Sequence, residues 1–312
     1  WTSALEVAFR TLSWIWVWHL TASTLPDALQ ATWMEAIYQH GVHLRNNLSV
    51  YFSPNTHLLG EAVALHALGR LFPQLPGAAE WRAEGGRLVV EAMEKQVRND
   101  GSHFEQSTYY HVYATDFFLL YALLEEVPRA YTERLTRMAE YLWTLLGPAG
   151  RIPFFGDDDG GRLFHPYGDR AGFGRATLAA CALFLDRPEW PAPMADREEL
   201  AVWWLGADAL KGEERPWSAA EGTRYFPDAG VVSFLRGQRQ VLVDTLAFGA
   251  FGAGHSHASA LSLVCRDGGQ EILLDPGTFT YIADPAERNL FRGTAVHNTV
   301  RLDSLDQIGR AS

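Results

Sequence analysis

The strongest constraint in this sequence is a change of hydrophobic period. Up to about residue 210, apolar residues recur three to four positions apart, the spacing of a helix buried along one side. Residues 1–20 show it in Leu5, Ala8, Phe9, Leu12, Ile15 and Trp16, and residues 55–69 in Leu58, Leu59, Ala62, Leu65 and Leu68. Further helices are expected over 30–40, 78–97, 107–126, 129–146, 170–186 and 197–210. The breaks carry the residues that end helices: Pro54, Pro73, Pro76, Gly101, Pro128, Gly147, Pro148 and Pro153. After the polar, turn-rich stretch KGEERPWSAAEGT at 211–223 the period becomes two. Strands are expected at 231–235, 240–244, 261–265, 271–274 and 298–302, and Arg266-Asp267-Gly268-Gly269 is a hairpin signal. Helices followed by a run of antiparallel strands give an α+β chain in separate domains: 1–210 helical, 211–223 linking, 224–312 sheet.

Composition narrows the function classes. Of 312 residues, 47% are hydrophobic and 20% charged, so a packed core is expected rather than disorder. The formal charge of −11 argues against nucleic acid as a partner, because phosphate binding needs net basic surface. Local basic clefts for an acidic substrate stay open. The two lysines, Lys95 and Lys211, leave the positive charge to arginine, the better bidentate partner of carboxylate or sulfate. Cys181 and Cys265 form no CxxC pattern and read as small buried side chains. No membrane span is expected, because the apolar run Leu12–Leu20 is too short. The chain opens on Trp1 inside a helical pattern and stops at Ser312 soon after a strand-like segment, which reads as a fragment lacking both ends.

Four segments hold residues that packing does not readily explain. Ser53-Pro54-Asn55-Thr56-His57, with Glu61 one turn on, is either a helix cap or a binding edge. The run DGSHFEQSTYYH at 100–111 places Glu105, Tyr109, Tyr110 and His111 where one helix gives way to the next. A tyrosine beside histidine and glutamate can exchange its phenol proton in catalysis. Asp157-Asp158-Asp159 lack the alternating spacing of a calcium loop and read as a polar loop fixing a cleft wall. In the fourth, His255 and His257 alternate onto one face of an extended chain, Asp275 ends the next strand, and His297 opens another. Two imidazoles and a carboxylate are a common zinc set, so His257, Asp275 and His297 are candidate ligands, unless they never meet. A tryptophan cluster at Trp14, Trp16 and Trp18 suits helix packing or a sugar groove.

SPNTHLLGEA, DGSHFEQSTYYH, GHSHASALS, LLDPGTFTY and FRGTAVHNTV, in this order, together with the opening WTSALEVAFR helix, resemble the heparinase II/III-like polysaccharide lyases, a group that includes oligoalginate lyases. The resemblance spans residues 1–307 and implies an incomplete α/α toroid followed by the start of an antiparallel β-sandwich. By resemblance, Asn55 holds the substrate carboxylate, Tyr110 and His255 are catalytic, and His257, Asp275 and His297 bind a zinc with a structural role. His57, Glu105, Tyr109, His111 and Arg292 are expected to contact substrate. Thr56 separates Asn55 from His57, whereas several alginate-type members have asparagine and histidine adjacent, which puts His57's role and alginate as the substrate in question.

The implied reaction is β-elimination on a 4-O-linked uronate of an acidic polysaccharide or oligosaccharide. An amide donor neutralises the carboxylate, a base takes the C5 proton, and an acid protonates the leaving O4. The expected location is periplasmic or secreted; the oligomeric state stays open. Two rivals remain: a glycoside hydrolase on an α/α barrel, with carboxylates drawn from Glu61, Glu105 and Asp157, and a non-catalytic glycan-binding protein.

Overall fold

The computed structural model describes residues 3–51, 53–163, 172–245 and 254–307. Seven long helices come first: α1 (Ala4–Thr21), α2 (Asp27–Asn46), α3 (Thr56–Leu71), α4 (Ala78–Gln96), α5 (Thr108–Leu124), α6 (Arg129–Leu146) and α7 (Arg175–Phe184). Five strands follow: β1 (Gly222–Phe226), β2 (Val231–Arg236), β3 (Arg239–Asp244), β4 (Ser262–Asp267) and β5 (Gln270–Leu273). The helices expected from residue 1 and from residue 170 begin outside the described residues. None of the described helices is long and apolar enough to cross a membrane.

The chain packs as two compact units. The first comprises residues 1–95 and 117–127, the second 96–116 and 128–312. In the first unit α3 is the central helix. Leu59, Ala62, Val63, Ala64, Leu65 and Leu68 are all buried, as expected of a helix apolar around most of its circumference. Helix α4 approaches so closely that a Cβ on Gly85 would stand 2.5 Å from the Ala62 carbonyl oxygen, which only glycine avoids. The N-terminal tryptophans pack on each other's neighbours: Trp14 and Trp18 lie 5.7 and 6.4 Å from Trp33, centroid to centroid. Their density therefore serves helix-to-helix contact.

In the second unit the strands form one antiparallel meander in the order β1-β2-β3-β4-β5. Two-residue turns at Gly237-Gln238 and Gly268-Gly269 close two of its hairpins, with positive φ at all three glycines. One face packs on α6 through Phe226, Val231, Leu242 and Val264 against Tyr141, Leu145 and Phe155. Polar residues on the same face find backbone partners. Gln240 Nε2 donates to the Thr144 carbonyl (2.8 Å), and Arg266 Nη1 to that of Arg151 (2.5 Å). The opposite face leaves Tyr225, Phe234 and Leu263 exposed, an apolar surface of the kind that a second sheet covers in a sandwich.

Two expectations need correction, and two elements were not expected. Residues 298–302 form no strand: Asn298 instead donates its side-chain amide to the carbonyls of Leu263 (3.1 Å) and Leu274 (2.7 Å), tying strand ends together. The helix expected over 197–210 is broken into a π-type turn (Arg197–Ala201), an α-turn (Val202–Leu205) and a 3-10 turn (Ala207–Leu210). Gly206, at φ +82, stops the α-turn. Finally, β1 and a helix at Pro285–Arg292 carry no periodic signal long enough to mark them.

Candidate active site

The site lies within the second unit and is assembled by backbone. Ser107 caps α5, its hydroxyl accepting from the Tyr110 amide (3.2 Å) while donating to the Asp157 carbonyl (2.6 Å). The Thr108 amide donates to the Phe155 carbonyl (3.0 Å), and the Thr108 hydroxyl to that of Pro153. The Asp157 amide donates to the His255 carbonyl (2.9 Å). Gly156 sits at φ +74 between these segments; a Cβ there would lie 2.6 Å from the His255 oxygen and 2.9 Å from that of Gln106. Three stretches far apart in sequence are thus fixed to one another before any side chain is considered.

Tyr110, from the first turn of α5, lies flat on the His255 imidazole, with centroids 4.1 Å apart and planes 18° from parallel. His255 Nε2 is 3.2 Å from Glu105 Oε1; Nδ1 is 3.3 Å from Asp157 Oδ2 and 3.1 Å from the Tyr281 hydroxyl. Glu105 also faces His103 Nδ1 at 3.5 Å. Burial alone would keep His255 neutral, but hydrogen bonds to Asp157 and Glu105 outweigh it and hold the imidazole up at about 9. His103 moves the other way, to about 4, because burial outweighs the Glu105 charge. Burial, with Tyr281 and Asp159 beside it, pushes the Tyr110 phenol far above its ordinary range, so it keeps its proton.

Next to this pair, ligating atoms of His257, Asp275 and His297 all lie within 4.8 Å of one another. His297 Nδ1 faces the Gly293 carbonyl (2.7 Å), which can only accept, so the proton is on Nδ1 and neutral Nε2 presents a lone pair. His257 Nε2 faces Asp157 Oδ1 (3.2 Å), so by the same logic Nδ1 presents its lone pair. Those two unprotonated nitrogens are 3.4 Å apart. Asp275 Oδ2 points at the same place, 3.5 Å from His297 Nε2, buried and without a hydrogen bond among the described residues. Two imidazole nitrogens and a carboxylate oxygen converging on one buried point, each imidazole with an outer hydrogen bond, are a donor set for a metal. Burial raises the Asp275 carboxyl to about 6 and lowers the His297 imidazole.

The other candidate contacts have these protein partners. His111 is buried, its Nε2 donating to the Met138 carbonyl (3.0 Å) and its ring edge-on to Tyr141, so it joins α5 to α6. Burial lowers it to about 3. The Tyr109 hydroxyl donates to the Gly161 carbonyl (2.6 Å), and its ring packs on Phe173. Arg292 is buried in the last turn of its helix, whose carbonyl accepts from the Ala258 amide (2.9 Å). In the first unit, Asn55 caps α3, its Oδ1 accepting from the His57 amide (3.0 Å); its assignment to the substrate carboxylate rests on the sequence resemblance. Glu61 accepts from the amide and hydroxyl of Ser49 (2.7 Å each), and burial raises it to about 7. It is occupied as a helix-to-loop tie rather than poised as one of two opposed acids.

Sequence reasoning missed two members of the cluster, Tyr281 and Arg288, and placed a third, Asp157, in a cleft wall or among hydrolase carboxylates. Asp157 is not a spare wall residue: it contacts both His255 and His257. Asp158 and Asp159 accept from the amides of Gly160 and Gly161 in local turns, and Asp159 also lies beside the Tyr110 hydroxyl. Arg288 pairs with Asp157 at 2.8 Å and lies 3.9 Å over the Tyr281 ring. The signal for Arg288 was available: Asp284-Pro285 is an N-cap followed by proline at the first helical position, with Asp284 Oδ1 accepting from Ala286 and Glu287. Nothing local marks Tyr281.

A long helical region leading into an antiparallel meander has counterparts among solved structures. The crystal structure of heparinase III aligns with 99% of this chain at a TM-score of 0.78 and 18% identity. That of heparan sulfate lyase HepC from Pedobacter heparinus covers 98% at a TM-score of 0.64 and 24% identity. The fold is therefore that of heparinase III, helical toroid followed by the start of a sandwich. In sequence, the family described as Heparinase II/III N-terminus matches residues 1–162, and Heparinase II/III-like, C-terminal matches residues 219–312. The chain belongs to the heparinase II/III family. Two heparin-sulfate lyases are similar to it: that of Bacteroides stercoris, 30% identical over 127 residues, and that of Pedobacter heparinus, 26% identical over 269. These alignments take in 38% and 83% of this chain, but only 19% and 37% of the relatives; the solved structures are covered to 48% and 46%. The chain thus spans less than half the length of the relatives it matches.

Proposed function

We propose that this protein is a polysaccharide lyase that cleaves a uronate-containing acidic polysaccharide by β-elimination, with a glycosaminoglycan of the heparan sulfate class as the first substrate to test. The observation that carries the reading is the stacked Tyr110–His255 pair, its imidazole held between the buried carboxylates of Glu105 and Asp157. In the reaction the C5–H bond breaks, its electron pair forms the C4–C5 double bond, and the C4–O4 bond breaks as O4 gains a proton. At rest both groups carry protons, so one must first give up its own before it can take the C5 proton, while the other protonates O4; the phenol and the imidazole are the exchangeable groups at this face. Family membership and similarity to heparin-sulfate lyases support the substrate class.

The donor set of His257, Asp275 and His297 suits zinc, and a zinc there would hold the segments that carry His255 and Asp275. His257 Nδ1, His297 Nε2 and Asp275 Oδ2 are the atoms that would bind it. A hydrolase reading is less well supported. Asp157 is committed to two imidazoles and an arginine, and Glu61 to Ser49, so neither is placed as a free acid or base.

The experiment is a screen of uronate polymers with the full-length protein, following the ultraviolet absorbance of an unsaturated uronate product. Tyr110→Phe keeps the ring but removes the exchangeable proton, and should lower the rate by about 10²- to 10⁴-fold. Tyr109→Phe, which loses the hydroxyl bond to Gly161, should stay within a few-fold of the unmodified rate. Reducing ends without the unsaturated chromophore, or full activity in Tyr110→Phe, would refute the reading.

A further inference from the structure

We propose that Asp157 is the positioning residue that couples the metal cluster to the catalytic imidazole, so that occupancy of the one sets the orientation of the other. This rests on the functional reading above for His255 and goes beyond it in naming what holds that ring. Asp157 is fully buried and divides its two oxygens. Oδ1 faces His257 Nε2 (3.2 Å), with the Thr278 hydroxyl also within reach (3.5 Å). Oδ2 faces His255 Nδ1 (3.3 Å) and Arg288 Nη2 (2.8 Å). One rigid carboxylate plane therefore joins the outer nitrogen of a candidate ligand to the inner nitrogen of the catalytic ring.

A carboxylate accepts at both oxygens, so both histidines present N–H groups to it. That fixes His257 with its Nδ1 lone pair toward the cluster, and fixes His255 with Nε2 toward Glu105. Outer carboxylates of this kind orient metal-bound imidazoles and raise their basicity. The backbone reinforces the link, since the Asp157 amide donates to the His255 carbonyl and its own carbonyl accepts from Ser107, the cap beneath Tyr110. A shift of His257 is transmitted to His255 through a single side chain. Asparagine at 157 would keep the shape and one acceptor oxygen, but would turn an N–H₂ toward one of the two imidazole N–H groups.

The test compares unmodified and Asp157→Asn full-length protein in two assays that need no turnover, and one that does. Zinc release to a chromophoric chelator reads the His257 side. The ring Cε1–H resonance of His255, in ¹³C-histidine-labelled protein and assigned with His255→Gln, reads the other side. The proposal expects about 10- to 100-fold easier zinc release in Asp157→Asn. It expects the His255 resonance to move when zinc is stripped from the unmodified protein, and to be insensitive to zinc in Asp157→Asn. Where the lyase reaction is present, kcat should fall by about 10- to 100-fold with KM within about twofold, as for a lost orienting contact rather than lost binding. Unchanged zinc release, or a His255 resonance as zinc-sensitive in the variant as in the unmodified protein, overturns the coupling. Failure of the lyase reading would appear separately, as absence of unsaturated product with both non-catalytic signatures intact.

Discussion

Protonation states do much of the specification at the scale of single residues, and Asp116 offers a clean measurement away from Tyr110 and His255. It is buried on α5, accepting from the Thr177 hydroxyl (2.7 Å). Burial raises its carboxyl to about 7, against the pull of Thr177 and of Arg162. In the unfolded chain an aspartate titrates near 4. Between about pH 4 and 7 the unfolded state therefore loses this proton while the folded state keeps it. The folded state then binds more protons, so this group's contribution to stability falls as pH rises through that window. Asp116→Asn keeps an acceptor for Thr177 and has no proton to lose. It should gain stability relative to the unmodified protein on going from pH 4.5 to pH 8, by on the order of 2 kcal/mol. Urea unfolding at the two pH values reads this directly; an equal difference at both would show that Asp116 is not held protonated.

Among the structural elements, the loop carrying Gly156 shows how a turn serves the site. Gly156 and Gly160 both have positive φ, +74 and +78. Alanine at either carries backbone strain of about 1 kcal/mol. At Gly160 nothing lies within 4 Å of the added methyl, whereas at Gly156 it meets the His255 carbonyl. Gly156→Ala should therefore be the more destabilising, by a further 1–3 kcal/mol or so, and should depress turnover by displacing His255. Equal melting points for the two variants would contradict this close approach. The same loop explains what could be read from sequence and what could not. The hairpin at Gly268-Gly269 and the helices up to α6 follow from local pattern, because periodicity and turn chemistry act over a few residues. His257, Asp275 and His297 were legible because ligand chemistry restricts the residue types. Asp157 was not: its partners His255, His257 and Arg288 lie 98, 100 and 131 positions away, and only the folded chain brings them to it. The burial of His111 and Arg292 was hidden from the sequence for the converse reason, since residue type and motif membership do not reveal which way a side chain points.

For the molecule as a whole, the division into two units gives the candidate metal cluster a confined reach. All three candidate ligands, and Asp157 behind them, belong to the unit that contains the sheet; α1, α2 and α3 belong to the other. A metal bound only to the folded state stabilises by RT ln(1 + [M]/Kd), about 4 kcal/mol at a thousandfold excess over Kd. Stripping it leaves lone pairs of His257, His297 and Asp275 facing one another in a buried place, and that repulsion falls on the segments that carry them. Hydrogen exchange of the zinc-loaded protein, before and after chelation, should therefore speed up over 255–259, 275–278 and 293–298. It should also speed up over 153–158 through Asp157, by as much as about 10³-fold where exchange follows unfolding of the unit. Amides of α3 should keep their rates, and added zinc should reverse the change. Acceleration spread equally through α1–α3 would mean that the two units unfold as one, and no change around His257 and His297 would mean that the cluster carries no metal.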